Sequence, residues 1–150
     1  MERAIQLAIE NVGTGQGGPF GALVVRDGEL IASGVNMVTA TNDPTAHAEI
    51  VAIRAACKEL GSFQLSDCEL YTTCEPCPMC LGAIYWARPE RFYYACTREG
   101  AALAGFDDAL IYTQFGLPPA ARSIPGIREA ANDAMKPFDE WAKAARKVPY

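Results

Sequence analysis

Thr45-Ala46-His47-Ala48-Glu49, followed by Cys74-Glu75-Pro76-Cys77-Pro78-Met79-Cys80, is the part of the chain that decides how the rest must fold. Three of these side chains are good zinc donors. His47, Cys77 and Cys80 would occupy three corners of a tetrahedron, with nitrogen at about 2.0 Å and sulfur at about 2.3 Å, leaving the fourth corner for water. An open corner marks a catalytic zinc, whereas structural sites are closed. Glu49 is not needed as a ligand. Two residues from His47, it is placed to carry protons between that water and a substrate. The expectation is one Zn2+ per chain, with a bound water or hydroxide.

This spacing constrains the backbone. Residues i and i+2 lie about 200° apart around a helix, so His47 and Glu49 can serve one centre only where a helix starts. Asp43, Pro44 and Thr45 supply start signals, with Asp43 and Thr45 as N-caps, and the apolar run Ile50-Val51-Ala52-Ile53 follows; a helix over 45–60, ended near Gly61, is predicted. Pro76 and Pro78 place Cys77 and Cys80 at the opening of a second helix, Met79 to Arg88. Two helix N-termini aimed at one ion favour thiolate and hydroxide.

Each residue alone has an ordinary reading. His47 is the only histidine in the chain, and a lone histidine is commonly structural; Glu49 alone would be a solvated helix residue. A Cys-x-x-Cys pair can be a redox motif, but such a motif does not call for a His-x-Glu partner. Cys74-Glu75-Pro76-Cys77 offers a second register for the pair. Cys77 and Cys80 are preferred because they follow proline at a helix start, which leaves Cys74 on the preceding strand.

Outward from these motifs the chain alternates. Ile5, Ala8, Ile9 and Val12 give an amphipathic helix over 3–13, ended by the glycine-rich residues 13–18. Runs over 20–25 and 30–35 flank Asp27-Gly28, a hairpin signal. Strands over 68–73 and 91–96 bracket the cysteine helix, and 109–115 reads as another strand. Pro118-Pro119 opens a short helical segment, and a last helix over 135–147 is interrupted early by Pro137. Two antiparallel strands followed by alternating helices and strands predict one mixed sheet with helices on both faces, an α/β fold. Gly13-Thr14-Gly15-Gln16-Gly17-Gly18 follows a helix and precedes a strand, the reverse of a phosphate loop, and reads as a connector.

The 150 residues suit one domain over 1–150, and 50% hydrophobic residues are ordinary for a globular chain. Six cysteines without a secretory-looking start point to a reducing cytoplasm rather than a disulfide framework, with Cys57, Cys68 and Cys96 as core residues. A net charge of −5 argues against nucleic acid and for a small substrate. From Thr97 onward Arg98, Arg122, Arg128, Lys136, Lys143, Arg146 and Lys147 are matched by Glu99, Asp107, Asp108, Glu129, Asp133, Asp139 and Glu140. No segment is apolar enough to span a membrane.

With these residues in hand the chain resembles the cytidine deaminase superfamily, and within it the small bacterial guanine deaminases. The likeness runs nearly end to end: Gly17 to Ala22, Asn42 to Glu49, Cys74 to Arg88, Ala104-Gly105-Phe106-Asp107-Asp108, and the tail from Pro137-Phe138 to Tyr150. The His-x-Glu and Pro-Cys-x-x-Cys motifs are shared across zinc nucleobase deaminases; the Gly-Phe-Asp-Asp stretch and the aromatic C-terminus point to guanine. The resemblance implies a cytidine-deaminase-like mixed sheet sandwiched by helices. It further implies that Asn36, Phe20, Ala48 and Trp86 line the substrate site, that Asp108 reads or protonates the guanine edge, and that Glu49 is the proton shuttle. It also implies a homodimer in which segment 135–150 crosses to a partner and Tyr150 enters the partner's site. The implied reaction is hydrolysis of guanine to xanthine and ammonia. A tRNA adenosine deaminase shares every zinc residue but calls for a basic face that the balanced tail lacks, and a non-catalytic zinc module would leave Glu49 unexplained.

Overall fold

The computed structural model describes residues 1–150, which divide into two compact units, Met1–Ala109 and Leu110–Tyr150. In the first, α1 (Glu2–Thr14) precedes the hairpin β1 (Gly21–Arg26) and β2 (Glu29–Val35). A short α2 (Val38–Thr41) and α3 (Ala48–Leu60) follow, then β3 (Glu69–Cys74), α4 (Pro78–Ala87), β4 (Arg91–Cys96) and α5 (Arg98–Leu103). The four strands form one sheet in the order β2-β1-β3-β4. β1 pairs antiparallel with both β2 and β3, whereas β4 runs parallel to β3, so the sheet is mixed as expected. The hairpin turns where both central residues take positive φ, Asp27 at 52° and Gly28 at 82°, the geometry that selects an Asp-Gly pair.

Alternate side chains of β1 address two helices. Ala22 and Val24 join Ala48, Ala52, Ala56, Leu65 and Leu70 in the buried core under α3. On the other face, a Cβ added at Gly21 would stand 2.4 Å from the Ala4 carbonyl of α1. Gly34 of β2 is pressed the same way onto α3, with a Cβ there 2.3 Å from the Ala48 carbonyl. Backbones this close admit only small residues between them. That explains a correction on α1. The buried stripe of α1 is Ala4, Ala8 and Asn11, while Ile5, Ile9 and Val12, expected to face inward, are exposed. On α3 the fully buried positions are likewise alanines, four residues apart.

Other boundaries shift for local reasons. The helix expected from residue 45 starts at Ala48, because Asp43 caps the turn before it: its Oδ1 accepts from Thr45 N at 2.8 Å and Thr45 Oγ1 at 2.7 Å. The cysteine helix starts one residue early, at Pro78, and stops where Arg88 turns left-handed at φ 54°. Cys68 is buried and Cys57 half-buried, but Cys96, expected in the core, is exposed at the end of β4.

From the last residue of the first unit onward, residues expected as a strand form α6 (Ala109–Phe115). Asp107 supplies the start, its carboxylate accepting from Ala109 N at 2.9 Å, and an Asx turn of this kind outweighs a β-rich composition. A 3-10 turn spans Pro119–Ala121, and the last helix, α7, is confined to Lys136–Lys143. Pro137 lies in its first turn, where a missing N–H costs nothing, so it opens the helix instead of interrupting it. Phe138, Trp141 and Tyr150 are all exposed.

Candidate active site

His47 and Cys77 are the N-cap residues of α3 and α4, each with extended backbone, φ −69° and ψ 156° for one and φ −62° and ψ 166° for the other. Neither side chain caps its own helix. Both are therefore free to turn toward a common point, and Cys80, a turn further along α4, completes it. His47 Nδ1 lies 3.5 Å from Cys77 Sγ and 3.5 Å from Cys80 Sγ, and the three donor atoms fall within 4.8 Å of one another. Zinc bonded to nitrogen at about 2.0 Å and sulfur at about 2.3 Å in a tetrahedron requires a nitrogen-to-sulfur separation of about 3.5 Å. The donor set thus fits one zinc ion. Cys74 is turned elsewhere, its thiol donating to the Thr97 carbonyl at 3.7 Å, so the ligating register is Cys77 and Cys80.

The charges are already arranged for a cation. The Cys77 thiol is brought down to about 4, first by the hydrogen bond from the Cys80 thiol and then by His47. Cys80 retains its proton, held there by that same hydrogen bond to Cys77 and by burial. His47 is raised above its ordinary value by its hydrogen bond to Cys77.

Glu49 sits in the first turn of α3 with only 6% exposure. Its Oε1 accepts from Thr72 Oγ1 at 3.2 Å, and its Oε2 accepts from Cys80 Sγ at 3.5 Å. Burial, followed by the charge on Cys77, lifts its pKa. A buried carboxyl with a raised pKa beside an open metal corner can accept a proton and give it back.

Asn36 is buried and held through both its carbonyl oxygens. Its Oδ1 accepts from Gly18 N and Val38 N, each at 3.3 Å, and its main-chain carbonyl accepts from Asn11 Nδ2 at 2.9 Å. Asn11 Nδ2 also donates to the Gly18 carbonyl at 3.0 Å. Two amides on Oδ1 fix the flip of the side chain and leave Nδ2 as the group that can donate to a ligand. The glycine loop therefore holds Asn36 as well as connecting α1 to β1: a Cβ on Gly17 would stand 1.9 Å from the Asn36 carbonyl oxygen. Phe20, half-buried just before β1, meets Phe106 edge to face with centroids 4.9 Å apart. Asp108 is half-buried, and its pKa is raised by burial and then by the charge of Cys77.

The remaining residues stand as follows. Ala48 is wholly buried as the first residue of α3. Trp86 is 63% exposed on the far part of α4, and Tyr150 is 73% exposed in the second unit. Thr72, Asn11, Gly17 and Phe106 escaped the sequence reading as site residues. Phe106 lay inside the stretch already quoted, and Asn11 left a signal as the one polar side chain on the Ala4, Ala8 stripe. Thr72 left none, because its partner is 23 residues away.

Comparison with known proteins gives five findings. Residues 1–96 match the family model of the cytidine and deoxycytidylate deaminase zinc-binding region. Over all 150 residues the chain is 55% identical to guanine deaminase of Bacillus subtilis, covering 96% of that protein. The X-ray structure of guanine deaminase from Bacillus subtilis superposes with a TM-score of 0.98, covering 99% of this chain and 95% of that one. A crystal structure of a protein in complex with 2,6-diaminopurine superposes with a TM-score of 0.67 at 35% identity, over 71% of this chain and 60% of that one. A tRNA-specific adenosine deaminase of Agrobacterium fabrum is 51% identical over 89 residues, 58% of this chain and 59% of that protein.

Proposed function

The chain belongs to the cytidine and deoxycytidylate deaminase zinc-binding family, and from that footing we propose that it is a zinc-dependent guanine deaminase, hydrolysing guanine to xanthine and ammonia. One observation carries the choice of guanine. The family model ends at residue 96 and speaks for the zinc chemistry alone, whereas the match to guanine deaminase runs the whole chain, taking in the Ala104–Asp108 arm and the tail. The likenesses to tRNA adenosine deaminases cover less of it, 58% of this chain for the Agrobacterium fabrum protein and 72% for that of Haemophilus influenzae, and a tRNA:A34 deaminase structure superposes with a TM-score of 0.63 against 0.98 for guanine deaminase.

His47, Cys77 and Cys80 hold zinc, which when bound lowers the pKa of a coordinated water and so supplies the nucleophile. Glu49 takes the proton of the water that adds to C2 of the base and returns it to a ring nitrogen. It then takes the remaining proton of the added hydroxyl and passes it to the amine, so that the C2 carbonyl forms as the amine leaves as ammonia. Thr72 keeps the carboxyl oriented through Oε1. Asn36 donates from Nδ2 to an acceptor on the base, Phe20 and Phe106 wall the ring, and Asp108 meets the guanine edge. Ala48 offers a main-chain N–H at a helix start, where such groups lack a helical partner. Trp86 belongs to the outer margin of the site. The purine-bound relative supports a purine ring in this place.

We read the assembly as a homodimer in which segment 135–150 crosses to the partner and brings Tyr150 to its site; this is supported by the exposed aromatic residues of α7 and the C-terminus. Six unpaired cysteines suit a reducing cytoplasm, and no helix is long and apolar enough to cross a membrane. Ammonia release measured on guanine, adenosine, cytidine and a tRNA anticodon stem-loop tests the reading. Guanine is the expected substrate; turnover of the stem-loop in preference to guanine would overturn it.

A further inference from the structure

Two cysteines outside the zinc triangle stand side by side at the ends of β3 and β4. Cys74 is paired with Cys96 across the parallel ladder. Adjacent strands lie about 4.8 Å apart, with paired side chains on one face, inside the range of about 4.4 to 6.8 Å that disulfides span between Cα atoms. Both thiols are free, and both donate to one acceptor, the Thr97 carbonyl, at 3.7 Å from Cys74 and 3.4 Å from Cys96. Glycine makes room for the outer sulfur: a Cβ on Gly100 would stand 2.6 Å from Cys96 Sγ.

Around them the strand ends are closely tied to the zinc loop. Glu75 N donates to the Cys96 carbonyl at 2.8 Å, and Arg98 N donates to Glu75 Oε2 at 3.2 Å. Thr97 is also the N-cap of α5, its Oγ1 accepting from Gly100 N at 3.3 Å, and α5 leads on to Phe106 and Asp108. The two cysteines therefore sit at the joint between the ligand loop and the arm that carries the aromatic wall. One is buried and the other exposed.

We propose that Cys74 and Cys96 are a redox modification site, closed to an intramolecular disulfide by a small-molecule disulfide of the glutathione type. The exposed Cys96 thiolate attacks the oxidant; its sulfur–sulfur bond breaks, one half leaves as a thiol, and a mixed disulfide forms on Cys96. Cys74 then gives up its proton and attacks the Cys96 sulfur, forming the internal bond and releasing the second half as a thiol. Two protein thiols are oxidised, one small disulfide is reduced to two thiols, and the protons go to the departing thiolates. The order of attack follows from the surroundings: burial, and next the neighbouring Cys96, push the Cys74 thiol up to about 11, so it waits as the resolving group. Closure takes both thiol donors from the Thr97 carbonyl and leaves it the Ala101 N–H of α5, at 3.1 Å, so the strand ends and the arm beyond α5 readjust relative to the zinc loop.

Full-length, zinc-loaded protein treated with oxidised glutathione at neutral pH tests this. The expected product has lost two hydrogens by intact mass, yields a Cys74–Cys96 linked peptide and keeps its zinc. Guanine turnover falls several-fold and returns with a thiol reductant. Cys96→Ser, which keeps a donor to Thr97, should turn over normally when reduced and form no bridge. Glutathione remaining on Cys96 without internal closure would overturn the pairing, as would oxidation of Cys77 or Cys80 with loss of zinc. A bridge that closes without changing turnover would overturn its coupling to the site. The mass and peptide measurements do not depend on guanine being the substrate, so their failure is distinct from failure of the functional reading.

Discussion

Glu49 carries the clearest prediction at the scale of single residues. Glu49→Gln keeps the shape of the side chain and the acceptor for Thr72 while removing the basic oxygen. Zinc content by metal analysis should be unchanged, and guanine turnover should fall about 10²-fold or more. Near-normal turnover at full zinc content would remove the shuttle role. The ligands make a second prediction, through protons. Before metal binds, Cys77 is already a thiolate at neutral pH, whereas Cys80 holds a proton and His47 has a raised affinity for one. All three ligands must be deprotonated around the ion. Zinc binding at pH 7 should therefore release about one proton from Cys80 plus a fraction from His47, and affinity should climb roughly tenfold per pH unit. Calorimetry in buffers of different ionisation enthalpy counts those protons; a pH-independent affinity would show that the thiols were ionised beforehand.

Among elements, the contact of β2 with α3 decides where the site is built. Gly34 admits the first turn of α3, the turn that holds His47 and Glu49, to within a distance that no Cβ allows. Gly34→Ala should force that turn outward, costing about 1 to 3 kcal/mol in denaturant unfolding and weakening zinc retention with it. Stability lost at unchanged zinc affinity would mean that the helix yields elsewhere. The sequence made the cluster of metal donors, the buried Glu49 beside it and the mixed sheet legible, because metal donors and strand punctuation are local signals: His47 two residues from Glu49, Asp27 beside Gly28, Pro78 ahead of Cys80. It misread α1, since its apolar residues follow a helical period whichever face is buried, and only the closeness of Gly21 reveals that alanine and not isoleucine must turn inward. The strand expected over 109–115 failed for the opposite reason, a single Asp107 side chain outweighing the composition that followed it. Thr72 and the Asn11 clasp on Asn36 were invisible, being contacts between distant segments with no periodicity to betray them.

Over the whole molecule, the tail supplies the remaining test. Phe138, Trp141 and Tyr150 lie exposed on a segment whose own unit buries no side chain fully, a costly way to end a chain unless something covers it. Removing Val148 to Tyr150 should lower guanine turnover with zinc still bound. Mixing a Glu49→Gln chain with a tail-deleted chain should restore activity if the tail serves a partner. A truncated enzyme as active as the full chain would refute the role of the tail, and mixed dimers without rescue would place it in its own subunit. The ligand triangle has one more consequence at this scale. Cys80 lies 33 residues beyond His47, so an ion gripped by both ties that length of backbone into a ring, as a covalent crosslink would. Ring closure over a few tens of residues withdraws about 3 to 4 kcal/mol of freedom from the unfolded chain. The ring encloses α3 and β3 and reaches into α4, so the ion girdles the middle of the fold, and a chelator that silences the enzyme also unties it.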